Sequence, residues 1–339
     1  MTPKSEYQAN ARAAQFTQEN FVFDCLGLFY VLSEPYATRC LEAGVNACNV
    51  TFALESSWDD MMRNVDEGFD LIDKNPVLVR AETADDIRRA QAAGQLAIIP
   101  GTQGAAMIDR ELSRVGVLAQ LGFKFFGLAY TGATLFADGC GERRDAGVSF
   151  LGQELIDAVN QTAMMLDLSH TGHRSRAEAT ARARAPICTH SNAWNHVPND
   201  RNTKDETVRE IVAKGGMMGA CCLPKSVNLE NATLDHLIDH IDHFRDLVGS
   251  GHIGIGLDFT EGYKEAGIVL PESIRWRTLR PDMFGSVDDF VTQRYPDGLG
   301  AIAELPNLTH RLMQRGYSDD EVAGILGRNW LGTFENFVG

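Results

Sequence analysis

Eight short apolar runs are spaced along the chain: FVFDCLGLFYV (21–31), VNACNVTFA (45–53), LAIIPGTQG (96–104), KFFGLAY (124–130), MMLDLS (164–169), APICT (185–189), MMGACCL (217–223) and HIGIGLDF (252–259). Each has the length and bounding residues of a buried strand rather than of a helix. A weaker run, VLVRA at 77–81, is set aside. Most of the intervals carry helical periodicity with recognisable ends. Ser57 is placed to cap a long helix that stops at Pro76, Thr83 to cap one closed by Gly94, and RSRAEATARARA (174–185) is a helix without Gly or Pro between two strands. Strands alternating with helices build parallel sheets, and eight is the number that closes a barrel. The pattern therefore predicts an α/β protein, a (β/α)8 TIM barrel occupying residues 1–339 as one domain. Residues 1–20 read as a polar lead, 260–299 as irregular, and 300–339 as closing helices. TGATLFADGCGERRDAGVSF (131–150), with four glycines and no period, reads as a long loop on the active face.

Composition narrows the partners. A net charge of −15 over 339 residues argues against a phosphate backbone or an anionic membrane as the main ligand. Seven cysteines without C-x-x-C spacing read as buried free thiols. The first twenty residues lack an apolar signal core, no run is long enough to span a bilayer, and the C-terminus is too short for a lipid-anchor tail. A cytoplasmic, reducing location is the expectation.

In parallel α/β architectures reactive groups collect beyond the carboxyl ends of the strands, and several chemistry-bearing side chains stand there. MMLDLS and APICT each deliver a histidine, His170 and His190. HIGIGLDF delivers Asp258, KFFGLAY delivers Tyr130, and LAIIPGTQG delivers Gln103. A histidine at a strand end is by itself most often a hydrogen-bonded core residue. Two of them, with an arginine and an aspartate at comparable positions, favour a site. His236, His240 and His243 share one helix face but lack the Glu of H-E-x-x-H and alternate with aspartates, so they read as a solvated or interface face. Cys25 has no activating base beside it in sequence and reads as an inert thiol.

Taken together, DLSH (167–170), THS (189–191), DRNTKD (200–205) and GIGLDF (254–259) resemble the membrane dipeptidase family. The step of eleven residues from His190 to Arg201 and the C-terminal LPNLTHRLMQRGYSDDEVAGILGRN are similar too. The resemblance runs from about Phe21 to Asn329. It implies a metal-dependent barrel that cleaves dipeptides, with two zinc ions bridged by a glutamate, often as a homodimer. It also implies that His170 and His190 are metal ligands, that Arg201 binds the substrate carboxylate, and that Asp258 shuttles the proton.

The chain departs from that family on one side of the site. Where the family has D-G-H-N-D, this sequence reads Asp24-Cys25-Leu26-Gly27-Leu28, so both ligand positions are leucine. Gln103 stands where the bridging glutamate is expected, and Tyr130 where a substrate-holding histidine is expected. Losing two carboxylates leaves the charge of a dinuclear cluster uncompensated in a low-dielectric pocket. The expectation is thus one divalent metal, zinc first among candidates, on His170, His190 and a neutral Gln103 oxygen. Arg201 would clamp a small substrate's carboxylate bidentately, and Asp258 would act as general acid and base. Tyr130 would hold substrate and donate to a developing oxyanion. The leading function is a dipeptidase-like hydrolase of a small carboxylate-bearing amide or peptide-like substrate, with ordinary dipeptide turnover poor or absent. Two alternatives stand beside it. One is a lyase or hydrolase acting on a small carboxylated metabolite in the same pocket, which Tyr130 and Gln103 favour. The other is a catalytically silent binding protein.

Overall fold

The structure, a computed structural model, describes residues 7–260, 271–291 and 295–339. Its strands are β1 (Phe23–Leu28), β2 (Ala47–Ala53), β3 (Leu78–Arg80), β4 (Leu96–Thr102), β5 (Phe125–Gly127), β6 (Met165–Asp167), β7 (Pro186–Ile187), β8 (Met218–Ala220) and β9 (Ile253–Ile255). The order is β7-β6-β5-β4-β2-β1-β9-β8, every pairing is parallel, and a parallel bridge from Cys188 to Met218 joins the two ends of the path. The eight strands expected from the apolar runs thus form a (β/α)8 barrel. The weak run VLVRA supplies β3, which pairs with β4 outside the ring.

Local chemistry sets the helix ends as the sequence suggests. The Ser57 hydroxyl accepts from the Asp60 N–H ahead of the helix Trp58–Lys74, with Asp59 and Asp60 favouring the positive end of its dipole. Thr83 and Asp86 form a reciprocal capping box, and Gly94 closes that helix in the left-handed region at φ 70°.

Two expectations need correction. The polar lead contains a helix, Ala11–Glu19, capped by Asn10 and bound through a buried Thr17–Thr309 hydroxyl contact of 2.7 Å to the helix Leu305–Gln314. Its low apolar content hid it, because only Ala13 and Thr17 are buried. The stretch 260–299 lies outside the described residues at 261–270 and 292–294. What is described there includes the helices Pro271–Leu279, Pro281–Phe284 and Val287–Val291 rather than irregular chain.

The closing helices plug the end of the barrel opposite the site. Trp330 and Phe334 pack edge-on or tilted against Phe125, and the Trp330 indole N–H donates to the Ile255 carbonyl at 3.1 Å. At the other end the ladder stops early on β6 and β7. There the Asp167 carboxylate, instead of a neighbouring strand, takes the N–H groups of Ser169 and Thr189. All seven cysteines are buried and free, and no helix among the described residues is long and apolar enough to cross a membrane.

Candidate active site

A cavity of about 1070 Å³ opens at the carboxyl ends of the strands, and Leu28, Gln103, Tyr130, His170, Arg201 and Asp258 all reach it. Five of the six residues singled out by sequence therefore share one space. The sixth, His190, is fully buried directly behind His170. The two Nε2 atoms lie 3.0 Å apart, and the Tyr130 ring stacks at 4.3 Å from that of His170.

Each imidazole is held through its other nitrogen. Nδ1 of His170 is 3.0 Å from the Thr131 hydroxyl, and Nδ1 of His190 is 2.7 Å from that of Thr189. Thr131 adopts φ 57°, an uncommon conformation for a β-branched residue. The Thr189 carbonyl passes where Gly219 and Gly256 leave space, since a Cβ on either would come within 2.0 Å of it. Burial, reinforced by the guanidinium groups of Arg201 and Arg176, keeps both histidines neutral, with pKa values well below the ordinary range. Neutral imidazoles with a bonded second nitrogen are what a metal ligand requires.

Arg201 is buried. It donates from Nη1 to the Ser169 carbonyl and from Nη2 to that of His190 at 3.4 Å, while its Nε has no partner among the described residues. Asp258 is half-buried on a backbone at φ 56°. Burial raises its pKa to about 6, against the pull of Arg201 and Arg277. Desolvation pushes the Tyr130 phenol upward, so it remains a protonated donor. Gln103 donates its amide to the Thr51 hydroxyl at 2.9 Å.

The β1 wall is different. Leu26 and Leu28 are buried apolar side chains. Asp24 is turned to the backbone, one oxygen accepting from the N–H groups of Leu26 (3.2 Å) and Leu257 (2.9 Å), and burial raises its pKa to about 7. The buried Cys25 thiol is pushed far above its ordinary value and is inert.

Residues 43–275, more than half of the chain, match the family model described as membrane dipeptidase, peptidase family M19. The chain belongs to the membrane dipeptidase family. This family member is 25% identical over 287 residues to the dipeptidase verJ of Clonostachys rogersoniana, covering 83% of this chain and 66% of that one. It is 26% identical over 254 residues to the dipeptidase tcpJ of Claviceps purpurea, covering 74% and 53%. The chain thus spans between half and two thirds of the length of these curated relatives. A crystal structure of an amidohydrolase from Pseudomonas aeruginosa superposes with a TM-score of 0.85 at 25% identity, over 96% of this chain and 99% of that one.

For a member of this family the donor set is informative. Two neutral imidazoles with facing Nε2 atoms fit one divalent ion, because two nitrogens sharing a tetrahedral zinc stand about 3.3 Å apart. The two β1 positions that the family resemblance marks as ligands are the buried leucines Leu26 and Leu28, and no group of three or more His, Cys, Asp or Glu side chains among the described residues is arranged to hold a metal ion.

Sequence reasoning missed four supporting residues, Thr131, Asp167, Arg176 and Thr189. Thr189 precedes His190 and Asp167 lies three before His170, a spacing that could have flagged them. Arg176 bonds carbonyls of Leu168, Ser169, Thr171 and Asn202, and looked like an ordinary helix residue. The reading of the histidine face also changes. His243 pairs with Asp205, the first residue of the helix Asp205–Ala213, at 2.8 Å. His240 is fully buried, accepting from the Ala193 N–H and bonded to the Val227 carbonyl, so the histidine face is partly core.

Proposed function

We propose that this chain is a dipeptidase-like hydrolase of a small amide or peptide-like substrate bearing a carboxylate, and that it works with one divalent metal, zinc first. The observation that carries this reading is the convergence of His170, Arg201, Tyr130 and Asp258 on one cavity, with His190 buried behind His170 and its Nε2 3.0 Å from that of His170. His170 and His190 would hold the ion, which when bound supplies Lewis acidity to the scissile carbonyl and to water.

The remaining roles belong to the protein's own groups. Arg201 is a guanidinium donor at the cavity wall whose Nε has no partner among the described residues, which suits attraction and orientation of a substrate carboxylate. Asp258, with its pKa near 6, is mostly ionised at neutral pH yet basic enough to take a proton from water and return it to the leaving nitrogen. The Tyr130 phenol donates to oxygen on which negative charge develops. Gln103 contributes a neutral polar edge in place of a carboxylate.

A second reading, elimination or hydrolysis on a small carboxylated metabolite in the same cavity, is favoured by Tyr130 and Gln103. The zinc-loaded chain, offered dipeptides and N-acyl amino acids beside a panel of carboxylated metabolites, separates the two. Amide cleavage supports the first reading, and turnover confined to the metabolites replaces it with the second. Binding without turnover of either panel makes the chain a silent receptor.

A further inference from the structure

Asp167 lies outside the cavity, is fully enclosed, and accepts four hydrogen bonds. One oxygen, Oδ1, takes the N–H of Ser169 (3.0 Å), the N–H of Thr189 (3.1 Å) and the Ser169 hydroxyl (2.5 Å). The other, Oδ2, takes the Thr189 hydroxyl at 2.6 Å. A hydroxyl has one proton. Thr189 therefore has none left for the nearby Ser169 oxygen, 3.2 Å away, or for the imidazole. With Asp167 ionised, its contact of 2.7 Å with Nδ1 of His190 is a bond that the ring donates. The proton of neutral His190 is thus on Nδ1, and its Nε2 presents a bare lone pair.

We infer that Asp167 is a positioning residue which, through the Thr189 hydroxyl, locks His190 in the Nδ1–H tautomer and aims a free Nε2 lone pair at the space shared with His170. The consequence for His170 follows from the 3.0 Å between the Nε2 atoms. In the metal-free protein one of those nitrogens must carry a proton. His190 cannot, so His170 is the Nε2–H tautomer and its Nδ1 accepts from the Thr131 hydroxyl. Among the described residues no carboxylate holds the Thr131 proton, so this hydroxyl can turn around and accept when His170 moves its proton to Nδ1. One ring is fixed and its neighbour is switchable. The tautomer assignment stands on this hydrogen-bond chain alone, whereas its effect on metal affinity rests on the proposed single-ion site.

Asp167→Asn is the revealing substitution. Two backbone N–H groups face Oδ1, so the amide oxygen must sit there and the NH2 must face Thr189. That reverses the Thr189 hydroxyl and moves the His190 proton to Nε2. Long-range ¹H–¹⁵N imidazole spectra of the metal-free 339-residue chain read this directly. The wild type is expected to show His190 protonated at Nδ1 and His170 at Nε2. Asp167→Asn is expected to show His190 protonated at Nε2 and to bind zinc about 10- to 100-fold more weakly, the usual cost of losing such support. Thr189→Ser keeps the wild-type spectrum and affinity, and Thr189→Val loses both. A wild-type His190 protonated at Nε2 overturns the inference. So does an Asp167→Asn chain whose spectrum and zinc affinity match the wild type. If the spectra behave as stated but no chain binds zinc, the inference stands and the single-ion reading fails. Should Asp167→Asn not fold, the wild-type spectrum and the two Thr189 variants decide.

Discussion

The wall of the cavity made by the ends of β6 and β7 is polar, whereas the wall made by β1 is apolar, although both occupy equivalent places on one barrel. On the first, a buried carboxylate, three hydroxyls and two imidazoles satisfy one another at 2.5–3.2 Å. On the second, Leu26 and Leu28 present hydrocarbon, and the one carboxylate, Asp24, is spent on backbone N–H groups. The difference teaches that equivalent strand ends of one barrel can carry opposite chemistry, which is what the proposed single-ion reading requires. The imidazole pair is supported through hydroxyls backed by one buried carboxylate, whereas the β1 wall offers hydrocarbon where a second cation would need carboxylate charge.

The largest effect is expected at the group that serves both walls. Asp258→Asn keeps the shape and removes the base, so kcat on an accepted amide should fall by about 10² to 10⁴. In the wild type, kcat/KM should rise with pH through an acid limb near 6 as the carboxylate ionises, since its pKa is raised by burial. A profile flat from pH 5 to 7 removes Asp258 from the proton-transfer role.

Next comes an attempt to erase the asymmetry. Leu28→Asp with Gln103→Glu returns two carboxylates to the cavity surface. Without metal the buried charge should cost on the order of 2–4 kcal/mol in denaturant unfolding. Excess zinc should restore much of that by binding only the native state. A variant equally destabilised with and without zinc shows that more than charge was lost from β1.

The smallest effect concerns Asp24. Its folded pKa of about 7 lies above its unfolded value, so the ionised form is disfavoured on folding, and wild-type stability should decline as pH rises from about 4 to 7. Asp24→Asn keeps the acceptor for Leu26 and Leu257 and removes the titration. Thermal melts should show its advantage over wild type growing across that range and levelling off above pH 7. A constant difference contradicts the buried-charge account.

Much of this was legible in the sequence because barrel strands are short apolar runs and capping residues mark helix ends. Eight runs, Ser57, Thr83 and Gly94 each appear in the structure as expected. Five of six site residues reach one cavity because the barrel topology brings every strand end to the same rim. What stayed hidden depends on contacts distant in sequence. The helix Ala11–Glu19 owes its place to packing on residues near 309 rather than to its own pattern. Thr131 supports His170 from 39 positions away, and nothing local announces the pairing. The partners of Asp24, the backbone N–H groups of Leu26 and of Leu257 on β9's continuation, include one 233 positions away that the first-strand pattern does not announce.

The central claim of the proposed function, one metal held on His170 and His190 with Gln103 beside them, is tested most directly by zinc stoichiometry of the metal-loaded, desalted chain, measured by elemental analysis. One equivalent in the wild type, lost in His170→Ala while the circular dichroism spectrum is unchanged, is the expected result. Two equivalents per chain, or one that survives His170→Ala, would contradict it.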